Sequence, residues 1–163
     1  MVVFMVKVND ATALLRERGL RVTAVRLAVI EAVRRRPHEG VDKIMAAVAA
    51  RLGSVSKQAV YDALEALVAA RIVRRIEPAG SPALYESRVG DNHHHVVCRS
   101  CGAIDDVDCA HGAAPCLEPA QTHGFVIDEA EVTYWGLCPD CQSSIQVSQD
   151  TVSPDATEKG TRS

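Results

Sequence analysis

Two Cys-x2-Cys pairs, Cys98/Cys101 and Cys138/Cys141, constrain this chain more than any other feature. Four thiolates carried by two tight turns form the donor set of a closed, tetrahedral zinc site, in which no position is left for water or substrate. Such a site is a staple and not a catalytic centre. Closing the 36 residues between the pairs onto one ion would pin the first strand of a small domain to its last. All six cysteines lie between Cys98 and Cys141, and the start MVVFMVKVND lacks the cleavage pattern of a secretory signal, so metal binding is expected over a disulfide framework. Cys109 and Cys116 are left over, either as a redox pair or as small buried apolar residues.

Charge divides the chain near Ser87. Residues 1–87 hold fourteen Lys/Arg against nine Asp/Glu, a net +5, whereas residues 88–163 hold four against twelve, a net −8. The first part suits a polyanion and the second suits cations, although drift in surface charge would give a similar imbalance. With 163 residues, 47% of them hydrophobic, and no apolar run of membrane-spanning length, a cytoplasmic protein of one domain or two small ones is expected, with no membrane partner.

The basic part reads as helices followed by a hairpin. Ala11 to Arg18 forms a short helix ending at Gly19; Thr23 caps a second that Pro37 stops; a third runs from Asp42 to Leu52 on the stripe Ile44, Val48, Leu52. Ser56 caps a fourth, in which Val60, Leu64, Leu67 and Val68 face a core and Lys57, Gln58, Tyr61 and Glu65 face away. The runs IVRRIEP and ALYES, joined by Ala79-Gly80-Ser81-Pro82, then pair as a hairpin. This order is that of a winged helix-turn-helix. Lys57, Gln58 and Tyr61 stand where a recognition helix meets bases, with Ser56 at its cap, and Arg21, Thr23 and Arg26 flank the second helix, where they could hold phosphates; each also reads as part of a solvated face.

After Arg88 come short strands, HHHVVC, AIDDVDC and VIDEAEVTYWGLC, with a short helix near Pro115 to His123, so the fold class is α+β: the winged helix (1–87) followed by a small α/β dimerisation and metal-binding domain (88–141). The Ser/Thr/Asp-rich segment 142–163 reads as a disordered tail. His93 and His95, two apart on a strand, project from one face and can share an ion, while His94 points away. Glu86 and Asp106 are carboxylates that the fold could bring alongside, and such a set suits Fe²⁺, Mn²⁺ or Zn²⁺; a histidine run can equally be solvated.

The string HHHVVCRSCG, with SKQAVYDALEALVAARIVRRI and GLRVTAVR before it, resembles the ferric-uptake-regulator (Fur) family over residues 10–141. EAEVTYWGLCPDC and DVDCAHGAAPCL resemble more narrowly its actinobacterial FurA branch, repressors found with catalase-peroxidase genes. The resemblance implies a metal-dependent, homodimeric repressor of oxidative-stress or iron-responsive genes that binds an A·T-rich palindromic operator. It implies structural zinc on Cys98, Cys101, Cys138 and Cys141, and a regulatory site, for Fe²⁺ first and otherwise Mn²⁺ or Zn²⁺, on His38, Glu86, His93 and His95 with Asp106 completing it. Two departures stand out. A third family site would use His94, but its partner positions are Ala113 and Ala130, and the usual Thr-Val-Tyr-Arg of the recognition helix is Ala59-Val60-Tyr61-Asp62. The competing readings are a zinc hydrolase, which lacks a separate general base and would not account for the basic winged helix, and a zinc-stapled metal-binding protein that does not bind DNA.

Overall fold

The computed structural model of the chain describes residues 2–78, 80–91, 93–108, 121–127 and 130–150. Local chemistry sets the helix boundaries in the first half. α1 spans Val2–Glu17, longer than the expected Ala11–Arg18. α2 (Ala24–Arg35) begins where the Thr23 hydroxyl accepts from the Arg26 amide, and α4 (Lys57–Ala69) where Ser56 Oγ accepts from the Ala59 amide. Between them α3 (Val41–Leu52) ends at Gly53, whose φ of +82° favours glycine.

The apolar faces of these helices meet in one core. Leu15 of α1, Val29, Ile30 and Val33 of α2, Ile44 and Val48 of α3, and Val60, Leu64 and Leu67 of α4 are all buried there. Cutting Leu64 to Ala would cost about 2–5 kcal/mol at such a position. A three-stranded antiparallel sheet in the order β1-β3-β2 closes the half, from β1 (Glu39–Gly40), β2 (Arg74–Ile76) and β3 (Leu84–Glu86), with Arg74 opposite Glu86 and Ile76 opposite Leu84. Helices followed by this hairpin make a winged helix.

The second sheet has the order β5-β4-β6. β4 (His93–Cys98) lies at its centre, antiparallel to β5 (Ile104–Asp108) and parallel to β6 (Thr133–Gly136). The register sets His95 opposite Asp106 and His93 opposite Asp108. The last strand is shorter than VIDEAEVTYWGLC suggests, since residues 126–127 and 130–132 lie outside it.

One expectation is corrected at the C-terminal side. Residues 142–150, read as part of a disordered tail, belong to α5 (Pro139–Asp150). Proline at the first helical position and Asp140 in the first turn both favour a helix start, and Ser143 and Ser144 donate their hydroxyls to the carbonyls of Pro139 and Asp140 instead of breaking the helix. Residues 151–163, and the helix expected near Pro115 to His123 over most of its length, lie outside the described residues.

Candidate metal centres

The end of β4 and the start of α5 bring the two cysteine pairs together. The Sγ atoms of Cys98, Cys101, Cys138 and Cys141 all lie within 4.8 Å of one another, with Cys101 and Cys138 3.7 Å apart. Four sulfurs held tetrahedrally at about 2.3 Å from zinc would sit about 3.8 Å from each other. The knuckle is built by backbone bonds: the Cys98 amide donates to Ala103 O, and Gly102 turns back to Cys98 O at a φ of +74°. Amides of Cys101 and Cys138 point at Cys98 Sγ and pull its thiol down to about 6, so this sulfur is readily a thiolate. At Cys141 a bond involving Ser100 also lowers the thiol but is outweighed by Cys138 and Cys101, and the thiol is pushed up to about 12. The thiols are thus driven apart in acidity, Cys98 down and Cys101 and Cys141 up, and the four sulfurs are a donor set that a cation could share.

The second cluster lies at the junction of the two halves. His38 sits after α2 in a left-handed turn (φ +60°), its amide bonded to Tyr85 O, and its ring turns toward the end of β3. There its Nε2 lies 3.0 Å from Glu86 Oε2 and 2.8 Å from Asp106 Oδ1. His95 Nε2 is 3.0 Å from the same Glu86 oxygen, and His93 Nε2 is 3.1 Å from Glu86 Oε1 and 3.7 Å from Asp106 Oδ1. Glu86, His93 and His95 are at most 2% exposed. Donor atoms of His38, Glu86, His95 and Asp106 all fall within 4.8 Å of one another, with His93 alongside. Burial opposes a charged Glu86, but the bonds from His38 and His95 and the nearby His93 outweigh it, holding this carboxyl well below the usual range. Burial also opposes charge on His38, yet the bond to Glu86 and the charge of Asp106 prevail and raise it.

The hydrogen bonds of His93 test whether a metal fits. Its Nδ1 lies 2.9 Å from Asp91 Oδ1, and a carboxylate only accepts, so Nδ1 carries a proton and Nε2 is the ring nitrogen left to bind a cation. That nitrogen faces Glu86 Oε1 at 3.1 Å, and both atoms are buried without a hydrogen-bond partner. Either a proton or a metal cation between these two atoms would satisfy both. Imidazoles and carboxylates in this number could hold Fe²⁺, Mn²⁺ or Zn²⁺.

Residue types and spacing brought His93, His95, Glu86 and Asp106 into view, but His38 only through family resemblance. Asp91 was missed; its signal is a carboxylate two residues before a strand histidine. His94 faces the other side of β4, its ring 6.3 Å from Tyr134, and among the described residues the clusters of three or more ligand-type side chains are the two above. Cys109, Cys116 and Ala113 lie outside the described residues.

On the first half, α4 exposes Lys57, Gln58, Tyr61 and Asp62 while burying Val60, Ala63, Leu64 and Leu67. Lys57 Nζ lies 5.7 Å over the Tyr61 ring, and Gln58 Nε2 donates to Asp62 Oδ1 at 2.6 Å. Ser56 and Thr23 use their hydroxyl oxygens as helix caps, which leaves each hydroxyl hydrogen to donate. Arg21 is exposed, whereas Arg26 donates to Arg21 O at 2.7 Å and lies along the loop.

The description "Ferric uptake regulator family" fits residues 17–135. The chain is 59% identical over 140 residues to the transcriptional regulator FurA of Mycobacterium tuberculosis, spanning 86% of this chain and 95% of that one. It is 62% identical over 126 residues to ferric uptake regulation protein 1 of Mycolicibacterium fortuitum, spanning 77% and 78%. Its fold resembles that of the Helicobacter pylori ferric uptake regulator Fur, with a TM-score of 0.62 at 18% identity over 85% of this chain and 93% of that one.

Proposed function

Because the chain belongs to the ferric uptake regulator family and is a metal-dependent, DNA-binding transcriptional regulator rather than an enzyme, we propose that it is a repressor switched by a metal held between its two halves. The observation that carries this reading is His38, a side chain of the winged-helix half that meets Asp106 of the second sheet at 2.8 Å. His38, Glu86, His93, His95 and Asp106 would hold the regulatory ion, Fe²⁺ first, with Mn²⁺ or Zn²⁺ compatible with the same donors. Such an ion supplies positive charge shared by donors of both halves. These residues then fix the angle between the halves, and with it the spacing of the two recognition helices of a dimer. Cys98, Cys101, Cys138 and Cys141 would hold the structural zinc.

Residues 1–87 are the proposed DNA-binding unit. Lys57, Gln58 and Tyr61 would face the major groove, with Arg21, Thr23, Arg26 and Ser56 on phosphates. The operator is an A·T-rich palindrome, matched by two-fold symmetry through residues 88–141. Exposed Phe125, Val126, Tyr134 and Leu137 in that stretch are apolar surface suited to a partner subunit. The FurA-like sequence supports control of oxidative-stress or iron-responsive genes in the cytoplasm. A gel shift on an A·T-rich palindrome, with zinc-stapled protein and with or without Fe²⁺ or Mn²⁺, tests the reading: the ion should be required for the shift. Equal binding in its absence would overturn metal control.

A further inference from the structure

We propose that Arg88 is a positioning residue that presets the regulatory cluster, by holding the outer oxygens of two carboxylates so that their inner oxygens aim His93 and Asp106 at the site. Arg88 lies at the junction of the two halves, between the end of β3 and the start of β4. Its Nε donates to Asp91 Oδ2 at 2.5 Å, and its Nη1 lies 3.6 Å from Asp106 Oδ2. Nη2 donates to Asp108 Oδ1 at 2.5 Å, which ties the same guanidinium to the end of β5. In both Asp91 and Asp106, then, the oxygen turned away from the cluster is the one the arginine faces.

The other oxygen of each does the orienting. Asp91 Oδ1 accepts from His93 Nδ1 at 2.9 Å, which selects the tautomer whose Nε2 lone pair points at Glu86. Asp106 Oδ1 faces His38 at 2.8 Å, His95 at 3.6 Å and His93 at 3.7 Å, so this carboxylate offers the cluster a single oxygen. Carboxylates behind ligating histidines act in this way in metal sites generally, fixing ring orientation and raising donor strength. A planar guanidinium with several donors can serve two carboxylates at once, whereas the single ammonium of lysine cannot reproduce that fork.

This inference rests on the reading that the cluster binds a divalent cation, and the test separates the two. Full-length protein with zinc on its four cysteines is compared as wild type, Arg88→Ala, Arg88→Lys and Asp91→Ala, with Mn²⁺ alone as the probe. Mn²⁺ affinity is read by electron paramagnetic resonance, and the His93 tautomer is read by nitrogen NMR in Mn²⁺-free protein above the histidine titration. Arg88→Ala and Asp91→Ala should each weaken Mn²⁺ about 10- to 100-fold, with Arg88→Lys between them and wild type. Both alanine variants should mix the His93 tautomers while keeping one zinc per chain. Affinity loss without a tautomer change, a tautomer change without affinity loss, or neither overturns the proposal. Arg88→Ala that fails to fold leaves Arg88→Lys, which keeps the charge but loses the fork, to decide by the same two readouts. A wild type that takes up no Mn²⁺ overturns the metal-bridge reading and this inference with it, whereas failure of the variants alone overturns only the role of Arg88.

Discussion

His38 Nε2 lies 2.8 Å from Asp106 Oδ1, joining a turn after α2 to the middle of β5 in the other sheet. The contact is made by a ring whose side chain is 6% exposed, so it cannot be replaced by solvent without opening the junction. His38→Ala should lower regulatory Mn²⁺ affinity by more than about tenfold, as loss of a ligand costs at least as much as loss of an outer partner, and should abolish the metal-dependent gain in DNA binding. Zinc on the four cysteines should be unchanged. Unaltered Mn²⁺ affinity would show that the ion does not use the winged-helix half.

Cys98→Ser or Cys138→Ser should unfold the second sheet or prevent dimerisation. These residues bracket it: Cys98 ends β4, and the Cys138 carbonyl accepts from Gln142 in the first turn of α5. Structural zinc contributes folding energy on the order of 10 kcal/mol in small domains. Native circular dichroism, dimer mass and melting temperature in both variants would sink the structural-zinc assignment.

What was legible in the residues was whatever depends on short spacing. The Cys-x2-Cys knuckles and the period-two pair His93/His95 are local patterns, and the caps Thr23 and Ser56 announce their helices. His38 was not legible from residue types, because its role depends on a left-handed turn and a backbone bond to Tyr85 that only the packed winged helix defines. Asp91 and Arg88 were hidden for the same reason, since their geometry belongs to the junction. Serines in 142–150 suggested disorder, but within α5 those at 143 and 144 are satisfied by carbonyls one turn back.

Lys57→Ala and Tyr61→Ala should weaken operator binding while leaving both metal contents unchanged. The two side chains stack on one another on the exposed face of α4, so their losses should be less than additive. Asp62→Arg should do the reverse for affinity, because it removes a carboxylate from the exposed face of the proposed recognition helix and frees Gln58 from its 2.6 Å bond. The salt slope should steepen by about 0.9 for one added phosphate contact. If all three variants bind like wild type in fluorescence anisotropy, another element reads the DNA.

Proton and metal should compete at the junction, with opposite pH trends in the two states. In protein carrying zinc on its cysteines but no regulatory ion, His38 is raised from its ordinary value of 6.5: burial opposes its charge, but Glu86 and Asp106 outweigh burial. A raised pKa contributes stability that is fully present below 6.5 and is lost as pH rises through the folded value. Glu86 is lowered from 4.5, burial again being outweighed, here by His38 and His95, so its contribution is present above 4.5 and is lost as pH falls through its folded value. The junction is therefore tightest between 4.5 and 6.5 and loosens on the alkaline side. Metal binding takes the place of those protons, so stabilisation by added Mn²⁺ should grow over the same alkaline range in which the metal-free protein weakens. Calorimetric melting temperatures across pH, with and without Mn²⁺, check this, and His38→Ala should flatten the alkaline decline of the metal-free curve. A metal-free melting temperature that rises through the alkaline range, or a Mn²⁺ shift that shrinks there, would show that protons on His38 do not hold the two halves together.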